Sequence, residues 1–223
     1  MTTRPSLSPT DRSTIQRSPL RARARREDLD AVLDAGLVCH LGLTVDGHPL
    51  VLPTGYGRDG DTLYLHGSTG AASLRAGATG IPVCVTVTLV DGLVYARSVF
   101  HNSMNYRSAV VHGEAVPVTG DDAKLRALRV ITEHLAPGAW DYSRLPNRKE
   151  LAATAVLAVD LTESSVKIRS GPPSDDDGDL ADDTRWAGVL PLRQVWDAPV
   201  ESPELPRPMP VPPHVLGRRA LST

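Results

Sequence analysis

The chain has 223 residues, 41% hydrophobic and 22% charged, with 24 Lys plus Arg against 26 Asp plus Glu. That length supports one sizeable core and is short for two. The formal charge of -2 removes the electrostatic basis for a general nucleic-acid binder. No apolar run reaches the ~18 residues needed to cross a bilayer. No apolar signal segment opens the chain, so a cytoplasmic location is expected.

Residues 1–19 are polar and without period, which predicts a disordered tail. Residues 21–35 place Leu29, Val32 and Leu33 at helical spacing, and Gly36 follows as a stop. Short apolar runs then alternate with turn signals. VCHLGLTV and HPLVLPTGYG are separated by Asp46-Gly47, and TLYLHG follows after Gly60. These patterns predict hairpins. SLRAGATG is expected to be a short helix, and IPVCVTVTLVDGLVYARS a hairpin turning at Asp91-Gly92. NYRSAVVHGEAVPV predicts a strand, and DDAKLRALRVITEHLAPG the clearest helix. TAVLAVDL and SVKIRSG predict two more strands. Short strands with few inserted helices point to a mainly antiparallel barrel rather than repeated βαβ units.

Residues 173–183 hold six aspartates and are expected to form a solvated loop. Seven prolines between Pro199 and Pro213 predict an extended arm without its own core. The expected organisation is a tail over residues 1–19, a barrel domain over 20–197 and a Pro-rich arm over 198–223. Aromatic residues are only 4%, so Val, Leu and Ala must build the core. Cys39 and Cys84 sit in apolar strand-like runs without metal spacing, which favours buried, reduced thiols.

Several motifs dissolve in context. Gly55-Tyr56-Gly57-Arg58-Asp59-Gly60 spells a dinucleotide fingerprint, but a strand follows it where a helix is required. Ser164 and Lys167 have the S-x-x-K spacing without its companion motifs. Asp175, Asp177 and Asp179 begin like a calcium loop that lacks its glycine and closing glutamate. The seven histidines show no metal-binding spacing. No metal site is expected, and no nucleophile–base pair stands out.

Two segments carry ligand chemistry. LYLHGSTGAASLR delivers a strand into small and hydroxyl residues, a pattern that lets backbone approach an anion. SVFHNSMNYRSAVVHG is a dense polar cluster between apolar strands, where His101 and Asn102, with His40 elsewhere, are candidate substrate-pocket residues.

These same stretches, with TRWAGVLPL, resemble the FMN-binding split β-barrel proteins, and within them the pyridoxamine 5′-phosphate oxidase-related group that includes Nim-type nitroimidazole-resistance flavoproteins. The similarity runs from about residue 21 to about residue 192. It implies a six-stranded antiparallel Greek-key split barrel, a homodimer with flavin sites at the interface, and a flavin-dependent oxidoreductase acting on a small molecule. A non-catalytic flavin-, F420- or haem-binding protein is the alternative. FMN is the implied cofactor, with F420, FAD and haem as alternatives. By the resemblance, the strand bearing Leu52, Pro53, Thr54 and Tyr56 passes the isoalloxazine ring. His66, Gly67 and Ser68 meet the phosphate. Arg107 and Ser108 lie close to the same site, and Trp186 reaches the partner's flavin. The family's phosphate-binding cation is missing at Ala72 and Ser73, and Arg75 is expected to replace it.

Overall fold

A computed structural model describes Leu7, residues 10–70 and residues 80–218. The expected helix over residues 73–80 and Arg75 therefore lie outside the described residues, apart from Gly80.

The strands are β1 (Ala22–Arg23), β2 (Val38–Val45), β3 (His48–Asp59), β4 (Thr62–Ser68), β5 (Ile81–Tyr95), β6 (Ser103–Pro117), β7 (Thr154–Asp160), β8 (Ser164–Arg169) and β9 (Gly188–Pro191). All pairings are antiparallel. β2 pairs with β3, β3 with β4, β4 with β7, β7 with β6, β6 with β5, and β5 again with β2. Six strands thus close a ring. β1, β8 and β9 extend it, so the sheet has nine strands among the described residues. The split lies along β6, which pairs with β8 over residues 106–111 and with β7 over 115–117.

Alternation explains why the ring closes around a core. Cys39, Leu41 and Leu43 of β2, Val83, Val85 and Val87 of β5, and Leu63 and Leu65 of β4 all point inward and are buried. α1 (Arg26–Ala35) packs Leu29, Val32 and Leu33 into the same core. α2 (Asp121–Leu135) lies outside the ring against β3 and β4. A Cβ on Gly57 would meet the main chain of Ile131 at 2.7 Å, so glycine sets how closely α2 approaches the barrel. No helix among the described residues is long and apolar enough to cross a membrane.

Three expectations need correction. Asp91-Gly92 is not a hairpin turn: β5 runs unbroken from Ile81 to Tyr95, with an irregularity in register between Val90 and Gly92. The dipeptide instead marks a bulge, and the space beside Gly92 is taken by the Leu190 carbonyl oxygen of β9, 2.8 Å from where a Cβ would stand. The N-terminal segment is not a free tail where it is described. Leu7 is buried in the barrel core, its N–H donates to the Ala24 carbonyl at 2.9 Å, and Arg12 forks onto Glu163. The acidic stretch is not wholly solvated either, because the Asp175 side chain is 1% exposed and ion-paired with Arg97 at 2.8 Å.

Candidate functional site

Among the described residues, an unpaired stretch of strand edge lies between β3 and β4. Their register runs from Asp59↔Thr62 only to Tyr56↔Leu65. Beyond that point the strands part. Residues 48–55 of β3 continue along β2, and residues 66–68 of β4 continue along β7. Among the described residues, the edge of β3 over residues 50–55 that faces away from β2 pairs with no strand. Unpaired strand edges present main-chain donors and acceptors in a row, which suits a flat heteroaromatic ring.

Side chains on β3 are sorted by alternation. Leu52 and Thr54 share a face with Leu41 and Cys39, toward the core, while Pro53 shares the outer face with His40. Tyr56 was expected at the cofactor, but its side chain belongs to the core. It is fully buried, and its hydroxyl donates to the Leu33 carbonyl at 2.5 Å. Burial in that apolar surrounding raises its pKa. On β4, His66 stands on the outer face where the strands part, and partial burial lowers its pKa, so the imidazole is neutral near pH 7. Gly67 pairs with Ala155, and Ser68 closes the strand with its Oγ accepting the Gly70 N–H at 3.1 Å. Among the described residues, the Ser68 hydroxyl hydrogen meets no acceptor.

Arg107 and Ser108 do not act together. Neighbours on a strand face opposite ways, and Ser108 lies on the outer face in a row with Thr88 and Lys167. Arg107 turns the other way and forks onto Asp91 at 2.9 and 2.7 Å. Its charge is thereby matched inside the protein, and the same contact raises its pKa. Trp186 is 70% exposed with its ring centroid 6.0 Å from that of Tyr95.

The register of β5, β6 and β8 also defines a wide outer face. His40, Thr86 and Val110 form one row, and Cys84 and His112 sit beside it. Val38, Val51 and Val90 are exposed on this face, and Leu93 and Met104 continue it past the bulge. Cys39, by contrast, points into the core, where burial pushes its thiol up to about 12.

His101 and Asn102 lie at the start of β6, away from the open edge of β3. The Asn102 Oδ1 accepts the Ala96 N–H at 2.8 Å, and His101 Nε2 lies 3.1 Å from Asp176. They border a polar cavity of about 460 Å³ that Arg17, Arg21, Lys167 and Arg169 also line. Sequence reasoning missed these four cations, because the N-terminal segment shows no period that would place it over the sheet. The pairing of Arg107 with Asp91 was hidden by a dipeptide that also spells a turn.

Comparison with known proteins gives a consistent picture. The family model described as pyridoxamine 5′-phosphate oxidase matches residues 25–168. Among solved structures, the FAD and haem binding protein from Mycobacterium smegmatis is 42% identical, with a TM-score of 0.86, covering 91% of this chain and 100% of that one. The flavocytochrome Anf3 from Azotobacter vinelandii is 37% identical, with a TM-score of 0.89, covering 96% and 99%. A putative 5-nitroimidazole antibiotic resistance protein from Bacteroides thetaiotaomicron, at 23% identity and a TM-score of 0.56, covers 66% and 86% and shares the fold. No match was found among curated proteins.

Proposed function

The chain belongs to the pyridoxamine 5′-phosphate oxidase family, and from that premise we propose that it is a redox protein that binds a flavin and a haem and works as a homodimer. The single observation that carries the reading is the parting of β3 from β4, which leaves the main-chain edge of residues 50–55 beside His66 and Ser68. Such an edge suits the polar rim of an isoalloxazine, which carries both donors and acceptors. The two similar chains align over nearly their whole lengths; the first is named for FAD and haem and the second as a flavocytochrome, which supports a haem beside the flavin, and the first supports FAD as that flavin.

Each residue has a defined part. The β3 edge orients the ring. Ser68 offers a hydroxyl donor to a phosphate oxygen, a bond worth about 0.5 to 1.5 kcal/mol. His66, whose pKa is lowered by partial burial, can donate or accept a hydrogen bond at the ring. The outer face fits a porphyrin because Val38 and Val51 give apolar surface while His40 and His112 are imidazoles able to ligate iron. A flavin exchanges two electrons and a haem one, so the pair would divide a two-electron input into single steps. A second copy against the outer face would cover the exposed valines and bring Trp186 toward the partner's flavin, excluding water. The reaction partner is a small reducible or oxidisable molecule.

The visible spectrum of freshly purified protein tests this. Broad flavin bands near about 450 nm together with a sharp Soret band are expected, from the absorption of the two cofactors themselves. Colourless protein that takes up neither added FAD nor haemin overturns it.

A further inference from the structure

The cavity at the start of β6 is built unlike the rest of the surface. Its floor is the outer face of β6 and β8, where Tyr106 pairs with Arg169 and Ser108 with Lys167. Its roof is the N-terminal segment, held down in two ways. β1 pairs with β8 through Ala22↔Lys167, and the Lys167 ammonium donates to the Arg17 carbonyl at 2.8 Å. Arg17 and Arg21 therefore line, with Lys167 and Arg169, one space of about 460 Å³.

Positive charge in that space is unbalanced. Arg169 is only 8% exposed, yet its acceptors are all neutral: the Asn105 side-chain oxygen and the carbonyls of Gly171 and Pro172. Three acceptors leave part of its five-donor fork unused. Among the described residues, no carboxylate pairs with Arg17, Arg21, Lys167 or Arg169. Asp176 meets the lining residue His101 instead. Burial and the like charge of Arg21 both lower the Arg169 pKa, as expected for a guanidinium short of a counter-ion. Burying a charge is costly unless it is paired, and of the four cations Arg169 is the buried one, so an anion in the cavity would offset that cost. Ser18 and Ser103 add hydroxyl donors at the same wall.

We propose that this cavity is a binding site for a phosphate-bearing small molecule, gripped by Arg17 and Arg21 from above and by Lys167 and Arg169 from below. Guanidinium forks match phosphate oxygens two at a time. The volume exceeds what a bare phosphate fills, so it admits the sugar of a phosphomonoester as well. The site is separate from the parting of β3 and β4, and it goes beyond the flavin and haem reading. The N-terminal segment, although outside the ring of strands, becomes half of a ligand site.

Calorimetric titration of the full chain as purified tests this, with its visible spectrum recorded in the same sample. Pyrophosphate and ribose 5-phosphate are the probes, and ribose is the control. One pyrophosphate per chain should bind, with affinity falling as salt rises and no change in any flavin or haem band. The double variant Arg17→Ala/Arg21→Ala should bind at least tenfold more weakly. Arg21→Lys should fall between, which separates lost charge from lost folding, and an unchanged circular dichroism spectrum verifies the fold. Ribose 5-phosphate binding where ribose does not identifies a phosphomonoester. Pyrophosphate binding while ribose 5-phosphate fails restricts the ligand to a diphosphate and overturns the sugar-phosphate assignment. No binding of either phosphate, equal binding by the double variant, or release of cofactor by pyrophosphate overturns the site.

Discussion

Arg107 of β6 grips both oxygens of Asp91 at the β5 bulge, at 2.9 and 2.7 Å. The bulge turns Asp91 toward β6, and its main-chain carbonyl meanwhile accepts the Leu192 N–H at 3.0 Å. One residue thus anchors β6 by its side chain and the end of β9 by its backbone. Replacing Arg107 with Ala leaves a partly buried carboxylate without its partner and should cost about 1 to 3 kcal/mol of stability in urea unfolding. Cofactor affinity per folded molecule should change less than threefold, because Arg107 faces away from Ser108. A loss of flavin binding with stability intact would return Arg107 to the cofactor site.

The His134 ring stacks beside Tyr56, with centroids 4.8 Å apart, and its Nε2 lies 2.7 Å from the Gly36 carbonyl. A carbonyl only accepts, so Nε2 carries the hydrogen. Burial lowers the His134 pKa, and the Gly36 contact offsets this only in part. The unfolded imidazole keeps a value of about 6.5 and so takes up its proton first as pH falls. This contribution to stability is complete above about pH 6.5 and declines below it, until the folded imidazole also protonates. Unfolding midpoints should therefore drop between about pH 7 and 5, and His134→Gln should flatten that slope. An equally steep slope in the variant would assign the effect elsewhere, with His66, shifted in the same direction, the next group to replace.

Gly57→Ala tests how α2 sits on the barrel. The new Cβ would lie 2.7 Å from the Ile131 backbone, which cannot rotate aside as a side chain could. Overpacking of this kind costs about 1 to 3 kcal/mol. Thermal unfolding should shift downward by several degrees. An unchanged midpoint would mean that α2 can slide on β3.

The outer face supplies a test of assembly. Val51 is 62% exposed and Val38 49%, so Val51→Asp should leave the lone barrel stable while placing a charge inside the proposed contact between copies. Light scattering should give about twice 23.9 kDa for the parent chain and about 23.9 kDa for the variant. The variant should also lose cofactor, both because Val51 belongs to the β3 edge and the face proposed for the haem and because Trp186 would no longer reach the neighbouring site. A parent chain that is monomeric and fully loaded would contradict the dimer.

Much of the barrel was legible because alternation survives even where the core is made of small aliphatic residues: Cys39, Leu41 and Leu43 mark β2 as plainly as aromatics would. Asp46-Gly47 announced its turn correctly, with φ of 50° and 78°. Asp91-Gly92 carried the same letters and meant a bulge, since only the distant β9 decides whether the strand continues. The candidate site was less readable. Alternation along β3 and β6 separates Tyr56 from Pro53 and Arg107 from Ser108, but which of the two faces meets the core depends on pairing with β2, β5 and β8. The N-terminal arginines were invisible for a different reason. Their place is set by contacts to β8, far along the chain: the pairing of β1 with it and the Lys167 ammonium on the Arg17 carbonyl.

Amide hydrogen exchange, compared between cofactor-free and flavin-loaded protein, reads whether the flavin covers the open edge of β3. In the free protein, amides of residues 50–55 that point away from β2 should exchange quickly, because among the described residues no strand covers that edge. Adding FAD should slow exchange in peptides spanning residues 48–57 and 64–70 and leave the cavity around Arg169 unchanged. Flavin that binds tightly while those two peptides exchange at their original rates would contradict the account.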